Sequence, residues 1–521
     1  MVDSGTTHGR KQSVGEPAPG LTRRRTLEQL ATRRFDVLVI GGGIIGAGIA
    51  AHASRAGLAV ALVDKGDFGG ATSSSSSKLI HGGLRYLRLG DVRLVREAHH
   101  ERRVLARIVA PHLVHRTPFL FPLYRGGPYR PAFVQSGIVL YSALARSRIN
   151  WLVDPHEAGE LVPPLRLGGL RSCALYTDAT TNDARLCLEN VRAAVERGAC
   201  ALNGAEVVGL CSSNRRVSGA EVRVDSEEIT VHARTVVNAA GPWVDQVRRL
   251  EDPRAGSSVR LSKGAHVLVT LDEAWAAALT IVQDDVRVTF AVPWHDMLLL
   301  GTTDEEHSGD PGAVTVTPTD IEQILDEASV ALPADVVARD RVRAAYAGLR
   351  VLPAGDGESV SARRETVFTR SRGGMLNVAG GKLTTYRKIA LQALDRLRTD
   401  LGLHRLDRRP WQLPGAGGFD QIVLPKSLDA HVREHLLHLY GSLAAEVLAP
   451  AAEDPSLLER LHPDGPDIEA QVRYALTHEW ARSADDVLRR RTTCFYRGLV
   501  DDALHDRVER VLSSGHGRAS L

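Results

Sequence analysis

The chain has 521 residues, 43% of them hydrophobic and 24% charged, with 65 Lys and Arg against 62 Asp and Glu and a mean hydropathy of -0.12. Those values fit about three soluble globular domains and exclude a long disordered chain, a disulfide scaffold and a polytopic membrane protein. Five cysteines (Cys173, Cys187, Cys200, Cys211 and Cys494) stand at least eleven residues apart with no C-x-x-C pair, so no zinc, iron–sulfur or redox-dithiol site is expected and a reducing compartment fits.

Residues 1–34 carry seven cations against three acids, a net of +4 that leaves about −1 for the rest. A near-neutral body argues against nucleic acid, whose phosphates need a clustered basic face. The leader reads as a disordered basic segment, with contact to an anionic membrane as the alternative. Its Thr22-Arg23-Arg24-Arg25 run lacks the apolar region that follows an export signal. Lysine is scarce, seven against 58 arginines, so a lysine within a small-residue motif, as at Lys78, Lys263 and Lys382, hints at a need for a compact ammonium group.

Residues 35–40 form a short β-branched apolar run, followed by Gly41-x-Gly43-x-x-Gly46, an alanine-rich stretch, and a second apolar run at 59–63 ending on Asp64. This reads as strand, glycine turn, helix and strand, a βαβ unit of about thirty residues. The first two glycines let a pyrophosphate approach the helix N-terminus, the third lets helix and strand pack, and Asp64 accepts hydrogen bonds from a ribose. A membrane span does not fit, because the uncharged stretch 37–51 has only fifteen residues, five of them glycine.

Residues 72–87 then concentrate serines, a histidine and two cations. Helical patterns are expected at 94–108 and 183–197, and strands at 206–210, 229–231 and 235–238. A mixed middle has strand-like runs at 265–270, 286–293 and 297–302 and an amphipathic stretch at 319–330. The last strand, 375–378, runs into Gly380-Gly381-Lys382 and a helix to about 398. Residues 409–418 read as a linker, and beyond 424 the period of 3.6 predicts a small helical domain.

Seven stretches occur together in order: Thr72-Ser73-Ser74-Ser75-Ser76-Ser77-Lys78-Leu79-Ile80-His81-Gly82-Gly83-Leu84-Arg85-Tyr86-Leu87, Asn238-Ala239-Ala240-Gly241-Pro242-Trp243-Val244-Asp245, Lys263-Gly264-Ala265-His266, Gly301-Thr302-Thr303-Asp304 with Gly309-Asp310-Pro311, Tyr346-Ala347-Gly348-Leu349-Arg350, Gly380-Gly381-Lys382-Leu383-Thr384-Thr385-Tyr386-Arg387-Lys388, and His478-Glu479-Trp480-Ala481-Arg482. Through them the chain resembles the FAD-dependent glycerol-3-phosphate dehydrogenases of the D-amino-acid-oxidase-like flavoprotein superfamily. The resemblance covers residue 35 to beyond 490.

It implies an α/β fold: a Rossmann-like FAD-binding domain with an interleaved α+β substrate domain and a C-terminal all-helical cap. The core is 35–408, with FAD-binding segments at about 35–110, 183–260 and 345–400 and the substrate domain at about 111–182 and 261–344; the cap is 419–515. FAD is expected to lie noncovalently against Gly41, Gly43, Gly46, Asp64, Thr72, Ser73, Ser74, Ser77, Lys78, His81, Gly241, Gly380, Gly381, Lys382, Leu383 and Thr384. Arg85, Tyr86, Arg350, Arg363, Lys382 and Thr384 are implied as substrate residues, and His81, Lys382 and Arg85 as catalytic ones. The implied reaction oxidises glycerol 3-phosphate to dihydroxyacetone phosphate and passes electrons to a membrane quinone, with dioxygen as the alternative acceptor.

The chemistry agrees with those roles. A phosphate monoester needs more than one cation, and arginine's planar fork holds its oxygens bidentately. Alcohol oxidation needs a base for the hydroxyl proton, which suits an imidazole at His81, with His266 as competitor. A cation at Lys382 would stabilise the reduced ring. Two departures stand out: Val351 replaces a common proline, and Arg363-Arg364-Glu365 replaces a Ser-Arg-Asp pattern, leaving Arg363 and Arg364 as alternatives. The acceptor implies a cytoplasmic protein held peripherally on the inner face of the membrane, possibly a homodimer, with contact through the leader, the cap or an apolar patch at Phe119-Leu120-Phe121.

Overall fold

The computed structural model describes residues 23–83, 91–145, 151–284, 287–354 and 366–518. The first apolar run is the strand Arg34–Ile40, buried without alternation from Val37 onward, as a parallel strand covered on both faces must be. It pairs in parallel with Val60–Val63 on one side and Glu227–Asn238 on the other. The sheet extends to Cys200–Leu202 beyond the first neighbour and through Leu376–Ala379 to Val367–Arg370 beyond the second. One face carries a core built with the helices Ile44–Arg55, Asp183–Val195 and Tyr386–Arg396. The opposite face packs on the hairpin Ala205–Ser213 and Arg216–Val224, which continues into Glu227–Asn238.

That second face corrects the reading of residues 1–34 as a disordered leader. Arg23–Thr32 is a helix whose Thr26 and Leu30 are buried, and Leu30 belongs to the core of the hairpin face. Arg23 donates to the Asn203 carbonyl at 2.8 Å and pairs with Asp225. Counting charges hid the apolar spacing that seats the helix. Residues 1–22 lie outside the described residues.

A second sheet of nine strands holds the runs expected in the mixed middle as Val259–Thr270, Val288–Trp294 and Met297–Gly301. Val342–Pro353 pairs antiparallel with Val259–Thr270 and sets Ser262 opposite Arg350 and His266 opposite Tyr346. Two long strands, Val114–Tyr124 and Leu170–Thr181, extend the sheet through the short strand Ala278–Val282. The first escaped the sequence reading because Pro118 and Pro122 interrupt its apolar run, and proline demotes a strand. Helices Pro155–Leu161 and Pro318–Ser329 cover one face, and Pro131–Leu144 packs on the other. Phe119, Leu120 and Phe121 are 1%, 0% and 6% exposed, so the apolar patch proposed as a membrane contact is core.

Beyond residue 418 the chain is helical, with Ala430–Tyr440, Glu469–His478 and Asp502–Arg518 as its longer elements. Buried charges dock it on the first sheet's helices. Arg185 pairs with Glu189 at 2.6 Å and with Glu479 at 2.5 Å, while its guanidinium lies over the Tyr440 ring. Linker residues are pinned as well: Leu413 N donates to the Val109 carbonyl and Ser442 N to the Gly415 carbonyl.

Candidate cofactor and substrate site

Three glycine turns separated by hundreds of residues meet because they follow the carboxyl ends of adjacent parallel strands. Ile40 leads into Gly41, Asn238 into Ala239-Ala240-Gly241, and Ala379 into Gly380-Gly381. Asp64 follows Val63 on the next strand over. In an open α/β sheet this is the crevice where a ligand binds. Here the turns wall a cavity of about 800 Å³ that the second sheet closes with Gly264, His266, Gly348 and Arg350.

The first turn fits a dinucleotide. Gly41 has φ +103°, and a Cβ there would stand 2.6 Å from the Ala239 carbonyl oxygen; a Cβ on Gly46 would stand 1.8 Å from the Gly41 oxygen. Gly46 therefore packs helix on strand, as expected, and does not line the cavity, whereas Gly41 and Gly43 do. The helix opens at Gly43 without a side-chain cap, leaving N–H groups and positive potential for phosphate oxygens. Asp64 accepts from Gly42 N at 2.6 Å and from Gly66 N at 2.8 Å. Burial raises its carboxyl above the ordinary range, against the pull of those two donors. Such a carboxyl at the strand end suits a ribose hydroxyl pair.

The serine segment runs from this turn toward the second sheet. Ser73 Oγ accepts from Ile44 N at 2.9 Å, Thr72 Oγ1 donates to the Leu349 carbonyl at 2.7 Å, and Thr72, Ser73 and Ser77 face the cavity together with Ser75 and Ser76. Ser74 and Lys78 do not line it, which corrects their assignment to the cofactor wall. Lys78 is 1% exposed. Its ammonium pairs with Asp183 at 2.6 Å, reaches the Ser74 carbonyl and the Tyr496 hydroxyl, and lies against the rings of Trp294, Tyr346 and Tyr496. Burial alone would lower its pKa, but Asp183 outweighs burial and holds it above the ordinary lysine value. The compact ammonium thus braces the loop from behind.

His81, Lys382, Leu383, Thr384, Gly241, Gly380 and Gly381 line the same cavity. His81 N donates to Thr384 Oγ1 at 3.1 Å, and that hydroxyl donates to the His81 carbonyl, so Thr384 serves the His81 main chain. One residue on, Gly82 N donates to Asp178 at 3.1 Å. Asp178 is itself held by the Tyr141 hydroxyl and an ion pair with Arg102.

Arg350 reaches the cavity from the second sheet, its fork held by protein acceptors. Its terminal nitrogens donate to Asp304 and Ser262 at 3.2 Å and to Thr302 Oγ1 and the Thr303 carbonyl at 3.0 Å. Gly264 makes room, since a Cβ there would meet the guanidinium at 2.5 Å. His266 stacks on Tyr346 with ring centroids 5.0 Å apart and shares a 2.8 Å hydrogen bond between Nε2 and Ser77 Oγ. Burial, then Arg350 and Lys78, push its pKa well below the ordinary histidine value, so it stays neutral. Arg85, Tyr86, Arg363 and Arg364 lie outside the described residues.

The sequence reading missed the part taken by the helical region. Arg490 and Asp486 line the cavity, and Arg490 and Arg491 both pair with Asp67, three residues past Asp64. The Tyr496 hydroxyl donates to the Ser74 carbonyl at 3.1 Å. Only the arginine run 489–491 signalled any of this in the sequence.

Comparison with known proteins agrees with the geometry. Residues 36–387 match the FAD dependent oxidoreductase family model, and residues 396–514 match the C-terminal domain of alpha-glycerophosphate oxidase. A glycerol-3-phosphate dehydrogenase of Mycobacterium leprae is 36% identical over 486 residues, covering 90% of this chain and 82% of that protein. An aerobic glycerol-3-phosphate dehydrogenase of Staphylococcus saprophyticus is 32% identical, covering 93% and 91%. The structure of the glycerol-3-phosphate dehydrogenase from Bacillus halodurans complexed with FAD superposes with a TM-score of 0.76 at 28% identity, covering 96% of this chain and 94% of that one. With its glycine turns, its acid at the second strand end and both family models along its length, the chain belongs to the FAD-dependent oxidoreductases that carry the C-terminal domain of alpha-glycerophosphate oxidase.

Proposed function

We propose that the protein is a glycerol-3-phosphate dehydrogenase that oxidises the secondary alcohol to dihydroxyacetone phosphate. The observation that carries this reading is that His81, Lys382 and Arg350 line one cavity together with the dinucleotide turn, in a chain whose relatives over nine-tenths of its length bear that name. FAD, held by Gly41, Gly43, Asp64 and the Gly380-Gly381 turn, supplies the acceptor for the hydride leaving the alcohol carbon.

The residues do the rest. Arg350 binds the phosphate, its fork oriented by Asp304 and joined by Arg85 and by Arg363 or Arg364. Lys382, in the cavity lining, would supply positive charge to the isoalloxazine ring as it is reduced. His81 takes the hydroxyl proton, from a main chain fixed by Thr384 and, through Gly82, by Asp178. His266 is the weaker base, because its Nε2 is committed to Ser77 and its pKa lies well below neutrality. Electrons then leave to a quinone at the inner face of the cytoplasmic membrane. Dioxygen is the second reading, favoured by the oxidase for which the C-terminal domain is named.

The test is anaerobic mixing of the holoenzyme with glycerol 3-phosphate, followed by quinone or oxygen in separate cuvettes. Flavin bleaching with rapid recovery by quinone is expected. Flavin that stays oxidised would overturn the substrate, and recovery by oxygen alone would move the acceptor to the oxidase reading.

A further inference from the structure

The turn that follows Asp64 is tied to the C-terminal helical region. Gly66 N donates to the Asp64 carboxylate, and the next residue, Asp67, takes ion pairs from Arg490 and Arg491. Asn203 Nδ2 donates to Asp67 at 3.2 Å and to the Trp480 carbonyl at 2.7 Å. The Trp480 ring stands edge-on to Phe68 with centroids 5.3 Å apart, and a Cβ on Gly42 would come within 2.3 Å of that same Phe68 ring. Residues 480–491 thus grip the segment 64–68 where Gly42 N of the dinucleotide turn meets Asp64.

The two arginines are not equivalent. Side chains of consecutive helical residues diverge by about 100°, yet both reach one carboxylate across the π turn Val487–Arg491, which Thr492 N closes on the Val487 carbonyl at 2.9 Å. Such turns are frequent at functional sites. The Arg491 side chain is 0% exposed and does not line the cavity, whereas Arg490 keeps 11% and lines it together with Asp486. Arg490 Nε donates to Asp67 and Nη2 to Asp486, so two acids aim the fork, and Nη1 makes no hydrogen bond among the described residues. Lys65, next to Asp64 in the chain and also in the lining, lies instead over the Trp243 ring at 3.9 Å.

We infer that Arg490 is a cofactor ligand supplied by the C-terminal region: its open Nη1 donates to the adenosine diphosphate half of FAD beside Asp64, while Asp67 and Asp486 fix its direction. A planar fork held on two sides presents its remaining donors with little freedom left to lose, and it meets an anionic dinucleotide with its charge intact. The coupling runs both ways. FAD on the core gives residues 480–491 a further contact, and the seated segment tightens FAD by the same factor. Loading of the flavin and seating of the helical region are one event, so the chain without flavin holds that region more loosely than the holoenzyme does.

The experiment follows FAD release on dilution of the holoenzyme by flavin fluorescence, and compares hydrogen exchange of residues 480–496 between the holoenzyme and the full-length chain stripped of flavin. Arg490→Gln should raise the FAD dissociation constant about ten- to hundredfold, the range for losing one hydrogen bond from a charged group. Arg490→Lys, which keeps the charge without the fork, should fall between it and wild type. Arg491→Lys disturbs Asp67 without reaching the cavity and should weaken FAD much less. Flavin should slow exchange across 480–496 in wild type and do so far less in Arg490→Gln. The inference is overturned if Arg490→Gln holds FAD as tightly as wild type, if Arg491→Lys weakens FAD as much as Arg490→Gln does, which would leave Asp67 as the whole connection, or if flavin leaves the exchange of 480–496 unchanged. Should Arg490→Gln fail to fold, release from Arg490→Lys at the wild-type rate overturns it. None of these measurements involves glycerol 3-phosphate, so their outcome is independent of the dehydrogenase reading.

Discussion

At the scale of single residues, the chain uses its few lysines and its many arginines differently. Lys78 is enclosed by Asp183 and three aromatic rings, and removing one member of such a pair leaves a buried charge alone. Lys78→Ala is therefore expected to cost about 3–5 kcal/mol of stability, read as a lower midpoint in chemical denaturation of the holoenzyme. Arg350 works at the cavity face. Arg350→Ala should lower kcat/KM for glycerol 3-phosphate by about 2–5 kcal/mol in transition-state terms and leave the flavin spectrum intact. Equal oxidation of unphosphorylated glycerol and its phosphate by wild type would refute the phosphate role. His81→Asn should slow flavin reduction about 10²–10⁴-fold with FAD still bound; if His266→Asn alone does so, the base is His266.

At the scale of elements, the glycine turn and the serine loop act as one unit. A Cβ on Gly43 would lie 3.0 Å from Ser73 Oγ, the oxygen that receives Ile44 N, and a larger side chain would fill the path of the pyrophosphate. Gly43→Val should purify without flavin, seen as missing absorbance near 450 nm. The loop's other brace comes from the helical region, through the Tyr496 hydroxyl to Ser74 and Lys78. Tyr496→Phe removes a buried hydrogen-bonding group worth about 1 kcal/mol and should loosen FAD several-fold in a dilution assay without touching any cavity side chain.

At the scale of the whole molecule, buried histidines set the response to acid. His52, His99 and His112 are 4%, 0% and 1% exposed, and burial, with nearby arginines, lowers each pKa to about 3. The unfolded chain titrates them near 6.5, so it binds more protons than the native state between about 6.5 and 3. Stability must fall as pH drops through that window, by on the order of 1–2 kcal/mol per histidine between pH 7 and 5. A melting temperature measured from pH 7.5 to 5 should decline monotonically; a flat profile would show that these imidazoles are charged in the native state. The Asp467 carboxylate, buried against His435 at 2.7 Å and held well below the carboxylate range despite its burial, adds a loss that begins only near the unfolded aspartate value.

The sequence by itself determined the dinucleotide turn, the acid at the second strand end, the first βαβ unit and the helical C-terminal region, because local spacing carries each: glycines within six residues, apolar runs of strand length, a period of 3.6. It also marked Arg350, His81 and the Gly380-Gly381 turn through motifs, but that they line one cavity was decided by the tertiary structure: parallel strands bring residues 41, 241 and 380 side by side, and the second sheet carries Arg350 to them. Lys78 lay within a motif and yet faces inward, since its ammonium finds a buried partner in Asp183, 105 residues away. The helix Arg23–Thr32, the proline-bearing strand Val114–Tyr124 and the Arg490 and Tyr496 braces were decided by tertiary contact alone. Each depends on a partner far along the chain, and no window of sequence contains both halves of such a pair.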